Sequence, residues 1–140
     1  MKSGRHIILS FGISIILFIY VKDALMMMSC FIFGFLIDID HLFDFWILTG
    51  KGTRSKSELI ETLNSSEFVF IPLHSWELLI VLMVFSPHHP AILGAAVGYF
   101  SHMITDLVYN RSTIEGFSVI YRMNHKWRKE ILFKGFQKAA

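Results

Sequence analysis

From Ala24 to Leu48 the chain is apolar over a membrane-length stretch, yet its second half reads Gly34-Phe-Leu-Ile-Asp38-Ile-Asp40-His41-Leu-Phe-Asp44. Three carboxylates and an imidazole inside such a run constrain the fold severely. Ionisable groups at membrane depth are costly, and they mark functional sites by default. They must face the interior of a helix bundle, and other segments must supply partners for them.

Composition agrees with a membrane setting. Of 140 residues, 54% are hydrophobic and 17% charged, against about 45–50% and about 25% in soluble domains. Mean hydropathy is +0.53. Besides the run over 24–48, three others cover about 7–21, 68–85 and 91–109. The first follows a short basic start but has no small-residue cleavage site after it, so it reads as an uncleaved first span. At that length it is short for a full crossing, which takes about 17–25 residues, and would tilt or thin the bilayer locally. Thr49-Gly50-Lys51-Gly52 ends the second run, with glycine as a helix cap. A polar loop over 51–67 with a short surface helix around Ser57–Leu63, and an amphipathic basic tail over 110–140, complete a single all-α, four-span domain. Gly94, Ala95, Ala96 and Gly98 give the fourth span a small-residue face for close helix approach. Cys30 is alone, so there is no disulfide framework. The net charge of +2 gives no indication of nucleic acid.

With four spans, all of the thirteen Lys and Arg residues but Lys22 fall on one side. The positive-inside rule then places both termini and the polar loop in the cytoplasm. A buried soluble helical bundle is the competing reading, and it leaves this asymmetry unexplained.

The same topology brings His6, Asp38, Asp40, His41, His74, Glu77, His102 and Asp106 to one layer below the cytoplasmic headgroups. At about 1.5 Å rise per residue, His74 and His102 each lie on the order of 10 Å in from their helix ends. Asp38 with His41, His74 with Glu77, and His102 with Asp106 are spaced three or four apart, so each pair can share a helix face. Asp40 and Asp44 form a second face of span two. A straight helix cannot aim all four at one point, so either the helix distorts or the cluster divides. Asp44, near the helix end, reads as facing water. His88, His89 and His125 lie away from this layer.

Imidazole and carboxylate together suit zinc, manganese or iron(II), and a bound cation offsets the burial of several carboxylates. Asp38, His41, His74, His102 and Asp106 are the expected ligands of one divalent ion or of two or more. His6 is a further candidate ligand. Asp40 would bridge ions or orient a ligand, and Glu77 is the candidate general base.

The order His6, Asp38-Ile-Asp40-His41, His74-Ser75 and Gly98-Tyr-Phe-Ser-His102-Met-Ile-Thr-Asp106 resembles the bacterial membrane-bound metal-dependent hydrolases. These are also described as LexA-binding, inner-membrane-associated hydrolases. That family opens with a histidine before its first apolar run. It then carries Pro-Asp-x-Asp-His, Thr-His-Ser and Gly-Tyr-x-Ser-His-x-x-x-Asp in successive runs, so the likeness extends from about His6 to Tyr109. Ile37 stands where the family has proline. Pro72-Leu73 stands in place of an Arg-Gly-x-Thr run, and if that arginine steadies a phosphate, the task here falls to a cation such as Arg54 or Arg111. The family is thought to be distantly like the zinc-dependent phospholipase C and P1 nuclease group. The resemblance therefore implies a multi-pass protein of the bacterial inner membrane that hydrolyses an ester or phosphoester of a lipid or lipid-linked substrate. The basic loop and tail would hold anionic headgroups, at roughly 1 kcal/mol per Lys or Arg. A metal-ion or proton transporter, or a scaffold with a structural metal site, are the alternatives. Polar residues are scarce in the outer halves of the spans, which disfavours a conduction path.

Overall fold

The computed structural model describes residues 3–50, 55, 57–58, 61–62, 66–109 and 112–131. Among these the chain is all-helical, with one isolated antiparallel bridge between Phe68 and Arg128. The helices are α1 (Ser3–Val21), α2 (Ala24–Phe35), α3 (Asp40–Thr49), α4 (Trp76–Phe85), α5 (Pro90–Tyr109) and α6 (Val119–Asn124). Of the surface helix expected around Ser57–Leu63, residues 57–58 and 61–62 are described and are helical, whereas Lys51, Arg54 and Arg111 lie outside the described residues.

Among the described residues, two segments are long and apolar enough to cross a membrane: Ala24–Thr49, which comprises α2, a 3₁₀ turn and α3, and Pro90–Tyr109. His6–Val21 and Trp76–His88 are apolar but shorter. α1 and α2 meet at a sharp corner. Lys22 takes a positive φ of 56° there, and Asp23 caps α2 by accepting from the Met26 amide at 2.9 Å. Gly50, at φ 65°, ends α3 in a left-handed conformation that costs glycine little, and its amide reaches the Trp46 carbonyl at 2.8 Å.

The third apolar run is not one helix. Residues 66–75 are irregular, and α4 begins only at Trp76 behind its N-cap Ser75. Pro72 explains the break. It has no amide proton, but its fixed φ suits the second position of a turn, and the His74 amide closes that turn on the Ile71 carbonyl at 3.2 Å. The helix expected over 68–85 therefore holds only in its second half.

α5 packs on α2 at backbone distance. A Cβ on Gly94 would meet the Met26 carbonyl, and one on Gly98 the Cys30 carbonyl, both at under 3.0 Å. A buried cluster of Ile37, Val69, Ile71, Tyr99, Met103 and Phe117 joins the end of α2, the irregular segment, α5 and the tail. The polarity of α1 is inverted relative to a helix in water. His6, Ser10 and Ser14, spaced four apart, are buried, while Ile8, Phe11, Ile16 and Ile19 are exposed. α4 likewise exposes Ile80, Val81, Met83, Val84 and Phe85.

Candidate metal centre

Four segments deliver the polar side chains to one place. α1 supplies His6, the α2–α3 junction Asp38 and His41, the irregular segment His74, and α5 His102 and Asp106. A 3₁₀ turn over Leu36–Ile39 interrupts the Ala24–Thr49 segment where its carboxylates lie. Both expected resolutions of the crowded acidic cluster occur together. The helix distorts, and the cluster divides: Asp38 and His41 join the histidines, while Asp40 and Asp44 turn to the irregular segment.

His74 and His102 form the middle of the centre, 0% and 1% exposed. Each ring has one nitrogen fixed by an acceptor. His74 Nδ1 lies 3.0 Å from Asp40 Oδ2, and His102 Nδ1 lies 2.9 Å from the Gly34 carbonyl. A carboxylate and a carbonyl can only accept, so both Nδ1 atoms carry a proton, and in the neutral ring each Nε2 then presents its lone pair. Those two Nε2 atoms are 3.2 Å apart. Asp38 Oδ1 lies 3.7 Å from His74 Nε2 and 3.4 Å from His102 Nε2. Asp106 Oδ2 lies 3.3 Å and 3.5 Å from the same pair. With neutral rings, four electron-rich atoms converge here.

That spacing fits a cation. Four ligands at about 2.0–2.1 Å around a tetrahedral ion stand roughly 3.3 Å from one another. Two further observations agree. Asp38 Oδ1 is buried and forms no hydrogen bond, although three imidazole nitrogens lie 3.4, 3.7 and 3.9 Å away. Among the described residues, the four carboxylates of Asp38, Asp40, Asp44 and Asp106 are accompanied by two buried cationic side chains, Arg122 and Lys129, neither in an ion pair with Asp38 or Asp106. With neutral imidazoles that leaves two negative charges, which a divalent ion would offset.

Three ligand triads overlap: His6, Asp38 and His102; Asp38, His41 and His74; His74, His102 and Asp106. One ring nitrogen can bind one ion. The first two triads share only the Asp38 carboxylate, which has two oxygens, so they can be filled together; any pair that includes the third shares an imidazole. The donor set therefore accommodates one ion or two, and not three. Asp106 links the halves, since its Oδ1 is also 3.3 Å from His6 Nε2.

Asp40 belongs to the support of this centre. Its Oδ2 accepts from the Leu73 amide at 3.1 Å as well as contacting His74, and Oδ1 is buried without a hydrogen bond. Such outer partners orient metal-binding histidines. Asp40→Asn is expected to weaken metal binding by about 10–100-fold, read by chelator competition, with the number of ions bound unchanged at saturation. Asp44 does not face water. It is buried, and its Oδ1 accepts from the Phe70 amide at 2.7 Å.

Glu77, expected as a general base, is engaged elsewhere. Its carboxylate accepts from Ser118 Oγ at 2.6 Å and from the Val119 and Ile120 amides at 3.1 and 3.3 Å, at the start of α6. These are donors of a helix N-terminus, where a carboxylate is favoured. Glu77→Gln is expected to cost about 1 kcal/mol of stability while leaving metal affinity within about twofold, a difference that thermal unfolding and metal titration of the same preparation would resolve.

Two contributors are not apparent from the residue pattern. Tyr99, buried on α5 one turn before His102, accepts from the Ser75 amide at 2.8 Å and donates towards the Leu73 and Ser75 carbonyls. Arg122 is fully buried on α6. Burial pushes its pKa down to about 10, with Asp40, Glu77 and Tyr99 opposing the shift, so it stays charged near neutral pH. Burial also lowers the Lys129 pKa, opposed by Asp44. The signal for Arg122 was a single cation enclosed by Val119, Ile120, Tyr121 and Met123, unlike the clustered cations that follow.

No family model, curated protein or solved structure matches the chain.

Proposed function

We propose that this chain is a membrane-embedded, metal-dependent hydrolase that cleaves an ester or phosphoester of a lipid or lipid-linked substrate at the cytoplasmic leaflet. The observation that carries the reading is the convergence of His74 Nε2, His102 Nε2, Asp38 Oδ1 and Asp106 Oδ2, with an acceptor beside each Nδ1 that leaves Nε2 to face the ion. Zinc suits this donor set, and manganese or iron(II) are compatible with it. A divalent cation bound there would act as a Lewis acid towards an acyl or phosphoryl oxygen and lower the pKa of water.

The membrane reading rests on inverted polarity. α1 buries His6, Ser10 and Ser14 and exposes its aliphatic residues, an arrangement that lipid favours and water does not. Four spans with both termini cytoplasmic accommodate the two long apolar segments and the two shorter ones. The irregular backbone at 66–75 would be tolerated because its Val69, Ile71, His74 and Ser75 are buried and the Phe70, Leu73 and Ser75 amides are each bonded to a side chain.

The open edge of the centre suggests the substrate class. The side chains of Asp38 and His41 are 20% and 15% exposed, whereas those of His6, His74, His102 and Asp106 are 5% or less. Beside that edge stand exposed Ile39, Leu42 and Phe43. A polar headgroup would reach Asp38 and His41 while its acyl chain lay along the apolar side chains.

Purified protein loaded with zinc is expected to hydrolyse fluorogenic acyl-chain esters or phosphodiesters, and to lose that turnover with a chelator or with His102→Ala. Metal retained without turnover of any such probe would favour the scaffold. Ion flux in proteoliposomes would favour the transporter.

A further inference from the structure

His74 is the one imidazole of the centre that no helix carries. It sits at the end of the Ile71–His74 turn, so its direction depends on what holds that turn. Arg122 spans both ends of it. Nη1 donates to the Ile71 carbonyl at 2.6 Å and Nη2 to the His74 carbonyl at 2.7 Å. The guanidinium lies 5.0 Å from the centre of the Trp127 ring, and no carboxylate is within ion-pair distance among the described residues. A buried cation spent wholly on backbone carbonyls is unusual, because a carbonyl repays less of the desolvation cost than a carboxylate. The planar fork matches two carbonyls presented side by side, which an ammonium could not do.

The clamp is itself anchored. Ser118 and the first amides of α6 are bonded to Glu77 of α4, and the Trp127 carbonyl accepts from the Val69 amide at 3.0 Å. The Lys129 amide also reaches the Glu67 carbonyl at 2.8 Å. The segment after α5 thus closes over the irregular backbone from both sides, with Arg122 at its midpoint.

We propose that Arg122 is the positioning residue of the metal centre, its guanidinium fixing the turn so that the His74 ring presents Nε2 to the ion. The proposal rests on the reading of His74 as a metal ligand. It gives the C-terminal segment a role distinct from holding anionic headgroups.

A double-mutant cycle tests it, with Zn²⁺ as the ligand and chelator competition as the readout. Arg122→Lys keeps the charge but loses the fork. It is expected to weaken Zn²⁺ binding by about 10–100-fold in the wild-type background and by less than about twofold in His74→Ala, where there is no ring left to position. The visible absorption of bound Co²⁺, which reports ligand number and geometry, should shift in Arg122→Lys towards that of His74→Ala. Equal losses in both backgrounds, or no loss in either, would overturn the proposal. Should His74→Ala bind Zn²⁺ as tightly as wild type, the underlying ligand assignment fails and the proposal with it. Should Arg122→Lys not fold, Trp127→Leu replaces it in the same cycle. It removes only the ring beside the guanidinium, so a smaller loss confined to the His74 background is expected, and equal loss in both backgrounds overturns the proposal.

Discussion

His102→Ala is expected to remove binding at the two triads that contain it, lowering affinity there by more than the roughly 10–100-fold typical of a lost outer partner, and to leave at most one ion, on Asp38, His41 and His74. His102 belongs to two of the three ligand triads, and its Nε2 lies 3.2–3.5 Å from His74, Asp38 and Asp106. Only the Asp38, His41 and His74 triad is left without it. The stacked His6 ring, 4.4 Å away between centroids, is held on α1 with its Nε2 directed to Asp106. The substitution also leaves the Gly34 carbonyl without its donor, so a stability loss of about 1–3 kcal/mol accompanies the loss of metal. Equilibrium dialysis against Zn²⁺, with circular dichroism to establish that the helices persist, separates the two effects. Affinity unchanged in folded His102→Ala protein would remove the centre as described.

Gly98→Ala should be the most damaging single-methyl change in the described chain. The added Cβ would meet the Cys30 carbonyl at under 3.0 Å, and that carbonyl is backbone inside α2, which cannot rotate away. α2 and α5 would have to separate, at a cost at or above the usual 1–3 kcal/mol of overpacking. Separation also moves the Gly34 carbonyl away from His102 Nδ1, because those groups sit on the same two helices one turn further on. Metal affinity should therefore fall together with the thermal midpoint. Gly34→Ala provides the control. Its Cβ would meet the Ser10 hydroxyl at 2.5 Å, which another rotamer relieves, and the Ser10 Cβ at 2.7 Å. The second contact asks α1 for a smaller shift than the closer backbone contact at Gly98 asks of α2 and α5. Gly34→Ala is expected to lower the midpoint less than Gly98→Ala. The reverse order would mean that α2 and α5 are not packed at backbone distance.

The sequence made part of this legible, for a physical reason. Periodicity and charge cost are local, so the helices and the misplaced carboxylates could be read directly, and a shared depth brought His6, Asp38, His41, His74, His102 and Asp106 to one layer. The division of Asp38 and His41 from Asp40 and Asp44 followed from helical spacing alone, though which of the two resolutions applied did not. Longer-range contacts were not legible. Pro72 inside an apolar run was read as part of a helix because its turn is stabilised by Tyr99 and Arg122, which are distant in sequence. Glu77 has the spacing to share a face with His74, yet its partner is the start of α6, 41 residues on. Asp44 looked solvent-facing because nothing nearby announced the Phe70 amide that it accepts from.

Metal content of the wild-type protein tests the central claim most directly. Purified without chelator, exchanged into metal-free buffer and titrated with Zn²⁺, it should bind tightly one or two equivalents per chain, as the sharing of His74 and His102 among the triads requires. No stoichiometric binding, or a third tight equivalent that His74→Ala and His102→Ala leave intact, would contradict the account.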